Sequence, residues 1–557
     1  MKGKMKKLLA VLLTCGMMAA LLAGCGSGTS STSDESSGSS GGSSQEAEQS
    51  ENDSEETSTD GVTKINVAVT KDITTLNPLK ITGGVRAFVN YEIYEKLAYI
   101  LDSELYMVMM KDYEKVNDNT YEVTIYDYIY DTLGNHITAD DVIWCFEQSI
   151  ANGEHTRIGI FSDIYKVDDY TIAFEMESSD EVVGSLWAAW DDVWIVSQAS
   201  YEASSDQMST DVYGTGPYKL KEYVASQYLV LEKNEDYWQT DESLWTPYSY
   251  ANVDEIQYTY FGEAAQITIA LQTGDVDMSQ SVPTTELVYF EEGGENSDDY
   301  YLVTKVSDKG TSLLFNCDVS VPTGNENLRK AIAYAVDADG VLASTYTTKY
   351  GQRISAPASP LFSDYQSAWD DEPYFEYDLD TAKEYLAAFE EETGISASDL
   401  NLTILCMSAN STDAEIISGY LDALGIKTSL DVTDYSGFNE KNKDSSAWDL
   451  IVNPLAGGVY FCDQFWAENA EELQSHEGTD TFLVDDTFQE LLYVACHESG
   501  HTEDDVNALR DYMNEICYKY GLYASYSVNV VPNTVTELVL NTWNYPVPGA
   551  STYVWNE

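Results

Sequence analysis

The pentapeptide His497-Glu498-Ser499-Gly500-His501 fits a zinc pattern in which two histidines one helical turn apart hold Zn²⁺ and the glutamate activates water. That chemistry needs one continuous helix. Phe488, Leu491, Leu492 and Ala495 form an apolar stripe that predicts a helix ending near His497, and Ser499-Gly500 breaks it. Thr502 with Asp505 is a capping box for a new helix carrying Val506, Leu509, Met513 and Ile516. His501 therefore falls ahead of an N-cap, and both histidines are expected on an exposed loop. Asp504 and Asn507 also stand where a longer zinc motif requires Gly and His. Asp140-Asp141 is the other tempting pair, but adjacent acids on a helix do not face each other, and a cap with Thr138 accounts for them. Cys145, Cys317, Cys406, Cys462, Cys496 and Cys517 show no CxxC spacing. They read as buried thiols or as pairs, Cys496 with Cys517 among them. No phosphate loop or nucleophile elbow is present. The chain reads as a binder without cofactor or metal, with a secreted zinc hydrolase as the remote alternative.

Non-covalent recognition is the chemistry that remains, and its best candidate is Pro454 to Trp466, PLAGGVYFCDQFW. It reads as a loop beyond a strand, Trp448 to Val452, in a region where helices and strands alternate. Ligands in such lobes sit at the carboxyl ends of strands. Gly457 and Gly458 let backbone approach a bound molecule. Tyr460, Phe461 and Trp466 can stack on a sugar ring, line an apolar pocket, or simply pack. Val459 follows the glycine pair, and Asp463 is the nearest acid. Met407, Ser408 and Asn410, after the strand Leu402 to Cys406, complete the candidate set.

These residues need a scaffold, and the sequence supplies one. Tyr213 to Trp238, YGTGPYKLKEYVASQYLVLEKNEDYW, places a Gly/Pro turn before two strand-like runs, Tyr218 to Tyr223 and Gln227 to Lys233, which read as a hairpin. Lys64 to Thr70 is an alternating strand, Asn90 to Leu97 reads as a helix, and Thr120 to Asp127 is a strand. Gly134 to Ile150 opens a helix at Thr138 with Val142, Phe146 and Ile150 on one face. Strand Asp254 to Phe261 and helix Glu263 to Leu271, stopped by Gly274, precede Asp275-Val276-Asp277. Asn327 to Asp339 is a helix with Leu328, Ile332 and Val336 in its stripe; Arg329 and Asp337 read as ion-pair or capping residues. A capped helix from Asp380 to Glu392, the helix Asp413 to Leu424 and strand Ile426 to Val432 imply βαβ crossovers. Leu522 to Tyr553 is β-rich.

At 557 residues the chain is long enough for two or more cores. Its net charge of −67, from 95 acids against 28 bases, excludes nucleic acid as a partner and excludes electrostatic docking on anionic lipid. The 42 Tyr and 11 Trp leave aromatic side chains over for a ligand-facing surface. Residues 1–24 carry Lys2, Lys4, Lys6 and Lys7 ahead of an apolar run too short to span a membrane, as an export signal does. The run ends Leu22-Ala23-Gly24-Cys25, which looks like the lipobox of bacterial lipoproteins, so Cys25 is expected to be the lipidated first residue of the mature chain. Residues 25–61, Ser/Gly-rich with nine acids and no base, are expected to be a flexible spacer.

The GTGPY turn with its hairpin and Asn-x-x-Tyr-Trp ending resembles the extracytoplasmic solute-binding proteins of family 5, the receptors of peptide-type ABC importers. Further segments match in the family's order: Thr138-Ala-Asp-Asp-Val142, the crossover at Gly274-Asp-Val-Asp277, Asn316 with Asn327 to Asp337, and LDALGIKTSL from Leu421. The resemblance covers about residues 62–557. It implies an α/β, two-lobed periplasmic-binding-protein-like fold with a hinge and an interlobe cleft, 62–305 with 523–557 forming lobe I and 306–522 lobe II. It further implies a monomeric receptor, lipid-anchored on the outer face of a Gram-positive-type cell membrane, that captures oligopeptides and delivers them to an ABC permease. An oligosaccharide or another solute is the alternative, since the loop that in peptide-binding relatives often supplies a carboxylate to the ligand's amino group has Val459 after Gly458.

Overall fold

The Gly/Pro turn of the GTGPY stretch is fixed by how closely it approaches a neighbouring backbone. Gly216 N–H donates to the Ile93 carbonyl at 2.8 Å, and a Cβ on Gly214 would lie 2.0 Å from that oxygen. Only glycine fits there. Tyr218, fully buried, then starts the hairpin: Tyr218–Val224 pairs antiparallel with Tyr228–Lys233. The chain described by this computed structural model comprises residues 63–70, 73–80, 89–101, 104–152, 157–345, 348–371, 374–455 and 460–555. The export signal, Cys25 and the acidic spacer lie outside it.

The hairpin is one edge of an 11-stranded sheet. Next come Glu255–Tyr260, the parallel strand Lys64–Val69, the short Met278–Ser279, and then two long antiparallel strands, Lys519–Pro532 and Tyr300–Phe315. Beyond them Leu450–Pro454, Asn401–Met407 and Lys427–Thr433 complete the order. The last three run parallel to one another, joined by the helices Ser411–Ala423 and Tyr435–Lys441, which are the expected βαβ crossovers. The pairing of the two long strands slips between Val306 and Gly310, where a Cβ on Gly310 would meet the Tyr523 carbonyl at 2.2 Å. Separate cores lie to either side of this slip. The first holds Ile65, Tyr91, Phe146, Trp190, Trp194 and Tyr258. A second holds Leu313, Leu328, Ile332, Phe389, Ile404 and Val452. A third, under the helices near the chain's end, holds Trp369, Phe461, Phe465, Phe488, Leu509 and Met513.

A second, four-stranded antiparallel sheet orders Met110–Asn117, Thr120–Ile125, Thr171–Met176 and Phe161–Asp168. The helix Ala139–Asn152 packs on it, and Thr138 N–H and Oγ1 donate to Asp141 at 2.9 and 2.8 Å, the cap read from sequence. One expectation is corrected. Asn90 to Leu97 is a helix only over Asn90–Ile93; Tyr94 turns to φ −118°, ψ 160°, and Glu95 and Lys96 pair with Ile195 and Trp194. Tertiary polar contacts override the helical spacing. Glu95 accepts from Tyr237 Oη and Trp238 Nε1, both at 2.6 Å. Lys96 donates to Asp191 at 2.8 Å, its ammonium lying 4.5 Å from the Trp194 ring centroid.

Candidate functional site

Past the Leu450–Pro454 strand, Phe461, Asp463 and Trp466 stand on a helix, Phe461–Asn469, rather than on the loop expected from sequence. The helix forms because Asp364, on another segment, caps it: its carboxylate accepts the N–H groups of Phe461 at 2.6 Å and Cys462 at 2.9 Å. Phe461 is turned into the third core, 2% exposed. Trp466 packs edge-on against the His497 ring, centroids 4.5 Å apart. Tyr460, half-buried, lies against Gly184, where a Cβ would come within 2.0 Å of the ring. Gly457, Gly458 and Val459 lie outside the described residues.

Asp463, in the first turn, faces residues from before the GTGPY turn. Its carboxylate accepts the Ser185 hydroxyl and lies 3.7 Å from Arg157 Nε. Burial raises its pKa above the ordinary carboxylate range, and the Arg157 guanidinium and Ser185 pull it back. Beside this contact, residues 180–185 reach the end of the helix Asp486–Cys496. Val182 forms an antiparallel bridge with His497. Val183 N–H donates to the Cys496 carbonyl and Glu498 N–H to the Glu181 carbonyl, each at 2.9 Å, and Tyr493 Oη donates to Asp180. The first core's half and the third core are thus joined by backbone hydrogen bonds, two hydroxyls and an ion pair.

Met407, Ser408 and Asn410 sit elsewhere. Ser408 is exposed, and Asn410 Nδ2 reaches Thr311 Oγ1 at 3.5 Å, just past the slip in the long strands. Buried Asp413 gathers the hydroxyls of Thr311, Thr345 and Tyr523 at 2.6–2.7 Å there. The partners of Asn410 and those of Asp463 are different residues, so the two halves of the candidate set form two groups. Arg157, Ser185 and Asp364 were missed. With 28 bases against 95 acids, any cation placed to meet a buried acid was a signal to search for, although nothing in sequence pairs residue 157 with 463.

The HESGH stretch holds no helix across both histidines. His497 ends its helix with φ −110°, ψ 139°, and Thr502 caps the next, Glu503–Ile516, by accepting Asp505 N–H at 3.2 Å. His497 Nδ1 donates to the Tyr493 carbonyl at 2.9 Å and His501 Nδ1 to Ala495 at 2.7 Å. His497 is 5% exposed rather than on an open loop, because its ring stacks on Tyr493. Among the described residues no group of three His, Cys, Asp or Glu is placed to hold a metal ion, and no helix is long and apolar enough to cross a membrane. The six cysteines of the body are buried and free. Cys517 packs in the second core and Cys496 in the third, so they are not the pair the sequence suggested.

Residues 104–469 match the bacterial extracellular solute-binding proteins, family 5 Middle. The oligopeptide-binding protein AppA of Bacillus subtilis is 23% identical over 376 residues, 61% of this chain and 65% of AppA. The nickel-binding protein NikA of Staphylococcus aureus is 24% identical over 436 residues, 75% of this chain and 81% of NikA. Among solved structures, NikA of Brucella suis in complex with Fe(III)-EDTA superposes with a TM-score of 0.72 at 16% identity, over 88% of this chain and all of NikA. That likeness is one of fold. The chain belongs to the bacterial extracellular solute-binding proteins of family 5, two-lobed α/β binding proteins of ABC transporters and not enzymes.

Proposed function

We propose that this protein captures oligopeptides between its two lobes and delivers them to an ABC permease, as a monomer tethered outside the cell membrane through lipidated Cys25. The observation that carries the peptide reading is Asp463. It is an acid at the junction of the halves, close beyond the strand end where Val459 leaves the carboxylate of peptide-binding relatives missing. An incoming ammonium would take the place of the Arg157 guanidinium beside it. The relation to AppA supports the same reading. The oligosaccharide reading loses Phe461 of its three stacking rings to the core, and half-buried Trp466 is already engaged by the His497 ring. A metal complex is the second reading, favoured by the relation to NikA.

We place the lobe boundaries near 305/306 and 522/523, at the slip in the paired long strands, with 62–305 and 523–557 as lobe I and 306–522 as lobe II. Closure there would be a population shift: moving the closed state from 1:99 to 99:1 takes about 5.5 kcal/mol of differential binding. Thermal unfolding of the protein with mixed di- to hexapeptides, oligosaccharides or nickel–histidine complexes tests the ligand. A ligand at 100 times its Kd adds about 2.7 kcal/mol. Stabilisation by peptides, weakened at least tenfold in apparent affinity by Asp463→Asn, is the expected result. Stabilisation by a saccharide or metal complex alone would replace the peptide reading.

A further inference from the structure

We infer that Cys462 and Cys496 form an oxidisable dithiol whose disulfide would weld the helix bearing Asp463 to the helix end that meets residues 180–185. Cys462 is in the first turn of Phe461–Asn469, next to Asp463, and Cys496 is the last residue of Asp486–Cys496, next to His497. Both side chains are fully buried in the same core. The Cys462 thiol donates at 3.3 Å to the carbonyl of Ala495, the residue adjoining Cys496, and lies 3.9 Å from His501 Nδ1. The Cys496 thiol is its first electrostatic neighbour and holds its pKa well above the usual thiol range, while His501 acts in the opposite direction. The Cys462 thiol is thus protonated and quiescent while covered. A family that works outside the cell meets oxidising surroundings, where neighbouring thiols become disulfides.

The chemistry balances with a disulfide as the oxidant, either glutathione disulfide or that of a thiol oxidoreductase. The Cys462 thiolate attacks one oxidant sulfur, breaking the S–S bond and releasing one thiolate as a mixed disulfide forms. The Cys496 thiolate then attacks Cys462 Sγ and expels the second thiolate. Two protein thiols are oxidised, one disulfide is reduced to two thiols, and the two protons pass to the released thiolates. The imidazolium of His501, whose pKa is pushed up to about 9 chiefly by Cys462, favours the thiolate that begins the sequence. Because the Val183 N–H to Cys496 carbonyl bond lies directly over this helix end, the oxidant gains access as the bridge opens.

The test is incubation of the protein with glutathione disulfide, followed by thiol counting under denaturation and peptide mapping by mass spectrometry without reductant. We expect two thiols lost, one cross-linked peptide joining Cys462 to Cys496, reversal by reductant, and a rise of a few degrees in melting temperature. Cys462→Ser and Cys496→Ser should each abolish the cross-link. Val183→Pro, which removes the bridging N–H, should speed its formation at least threefold. A pair that stays reduced in both the parent and Val183→Pro overturns the proposal. So does a cross-link to any other cysteine, or a stable glutathione adduct that goes no further.

Discussion

The corner around the GTGPY turn and the third core both bury charge-bearing side chains, but they resolve the cost of doing so in opposite ways. At the corner, Glu92 is fully buried, accepts one N–H from Gly549 at 3.1 Å, and its Oε2 has no hydrogen-bond partner among the described residues. Burial pushes its pKa up to about 8 and that of Glu95 up to about 7, hydrogen bonds offsetting only part of each shift. Glu92 is therefore held mostly as the neutral acid at pH 7, when an isolated carboxyl would be ionised. Near the third core the cations carry the polarity instead. Lys519, its side chain 3% exposed, sits between Asp480 at 2.9 Å and Glu468 at 3.3 Å, and holds down an Asp480 carboxyl that burial raises. Arg329, 4% exposed, donates to the carbonyls of Cys517, Ile516, Thr323 and Gly324 at 2.8–3.1 Å, tying the start of one helix to the end of another. A buried acid that meets only neutral donors gives up its charge, whereas one that meets an ammonium keeps it.

That contrast can be broken by mutation. The largest expected effect is Arg329→Met, which removes the donors of all four carbonyls and should cost about 4 kcal/mol in urea unfolding. A loss under about 1 kcal/mol would mean the guanidinium is replaceable by water. Lys519→Met leaves Asp480 and Glu468 facing each other without a cation. Because both acids keep some exposure, the loss should be nearer 3 kcal/mol at pH 7, shrinking at pH 5 as Asp480 takes up a proton. Equal losses at the two pH values would show that the ammonium matters only as packing.

The smallest effect concerns the corner and sharpens its side of the contrast. The ordinary value for Glu92 is 4.5, so between about 4.5 and 8 the unfolded chain releases a proton that the folded chain retains. The stabilisation is complete below about 4.5 and is lost as pH rises through about 8, and Glu95 adds the same trend up to about 7. Unfolding midpoints measured from pH 5.5 to 8.5 should fall with pH. Glu92→Gln should change stability by about 1 kcal/mol or less at pH 5.5 and flatten that slope. A slope unchanged in the variant would assign the pH dependence to other groups.

Local chemistry was the part of this molecule legible in sequence. The Thr138–Asp141 cap, the Tyr218–Lys233 hairpin, Gly274 in left-handed conformation at a helix end, and the alternation that builds the parallel strands all rest on neighbouring residues. What stayed hidden depends on distant partners. The Phe461–Asn469 helix is capped by Asp364, nearly a hundred positions away, so its own residues, with Gly457-Gly458 just ahead, read as loop. The bridge at Val182 and His497 is a single residue pair with no pattern to detect, and Arg157 meets Asp463 from some three hundred positions away. Glu95 and Lys96 left the helical spacing because Trp238 and Asp191 were waiting for them.

The position of Lys519–Pro532 in the sheet also governs when the molecule can fold. This strand lies between Met278–Ser279 and Tyr300–Phe315, pairing Tyr300 with Pro532 and Leu314 with Lys519, yet it follows every other strand of that sheet in sequence. Until it arrives, the strands on either side present open edges, and closing them joins Ser279 to Val530 and Leu314 to Lys519, partners far apart in sequence. This sheet therefore commits slowly and completes only once its last strand in sequence is available to pair. A chain cut before Lys519 would keep two unfinished sheet edges, not one finished half.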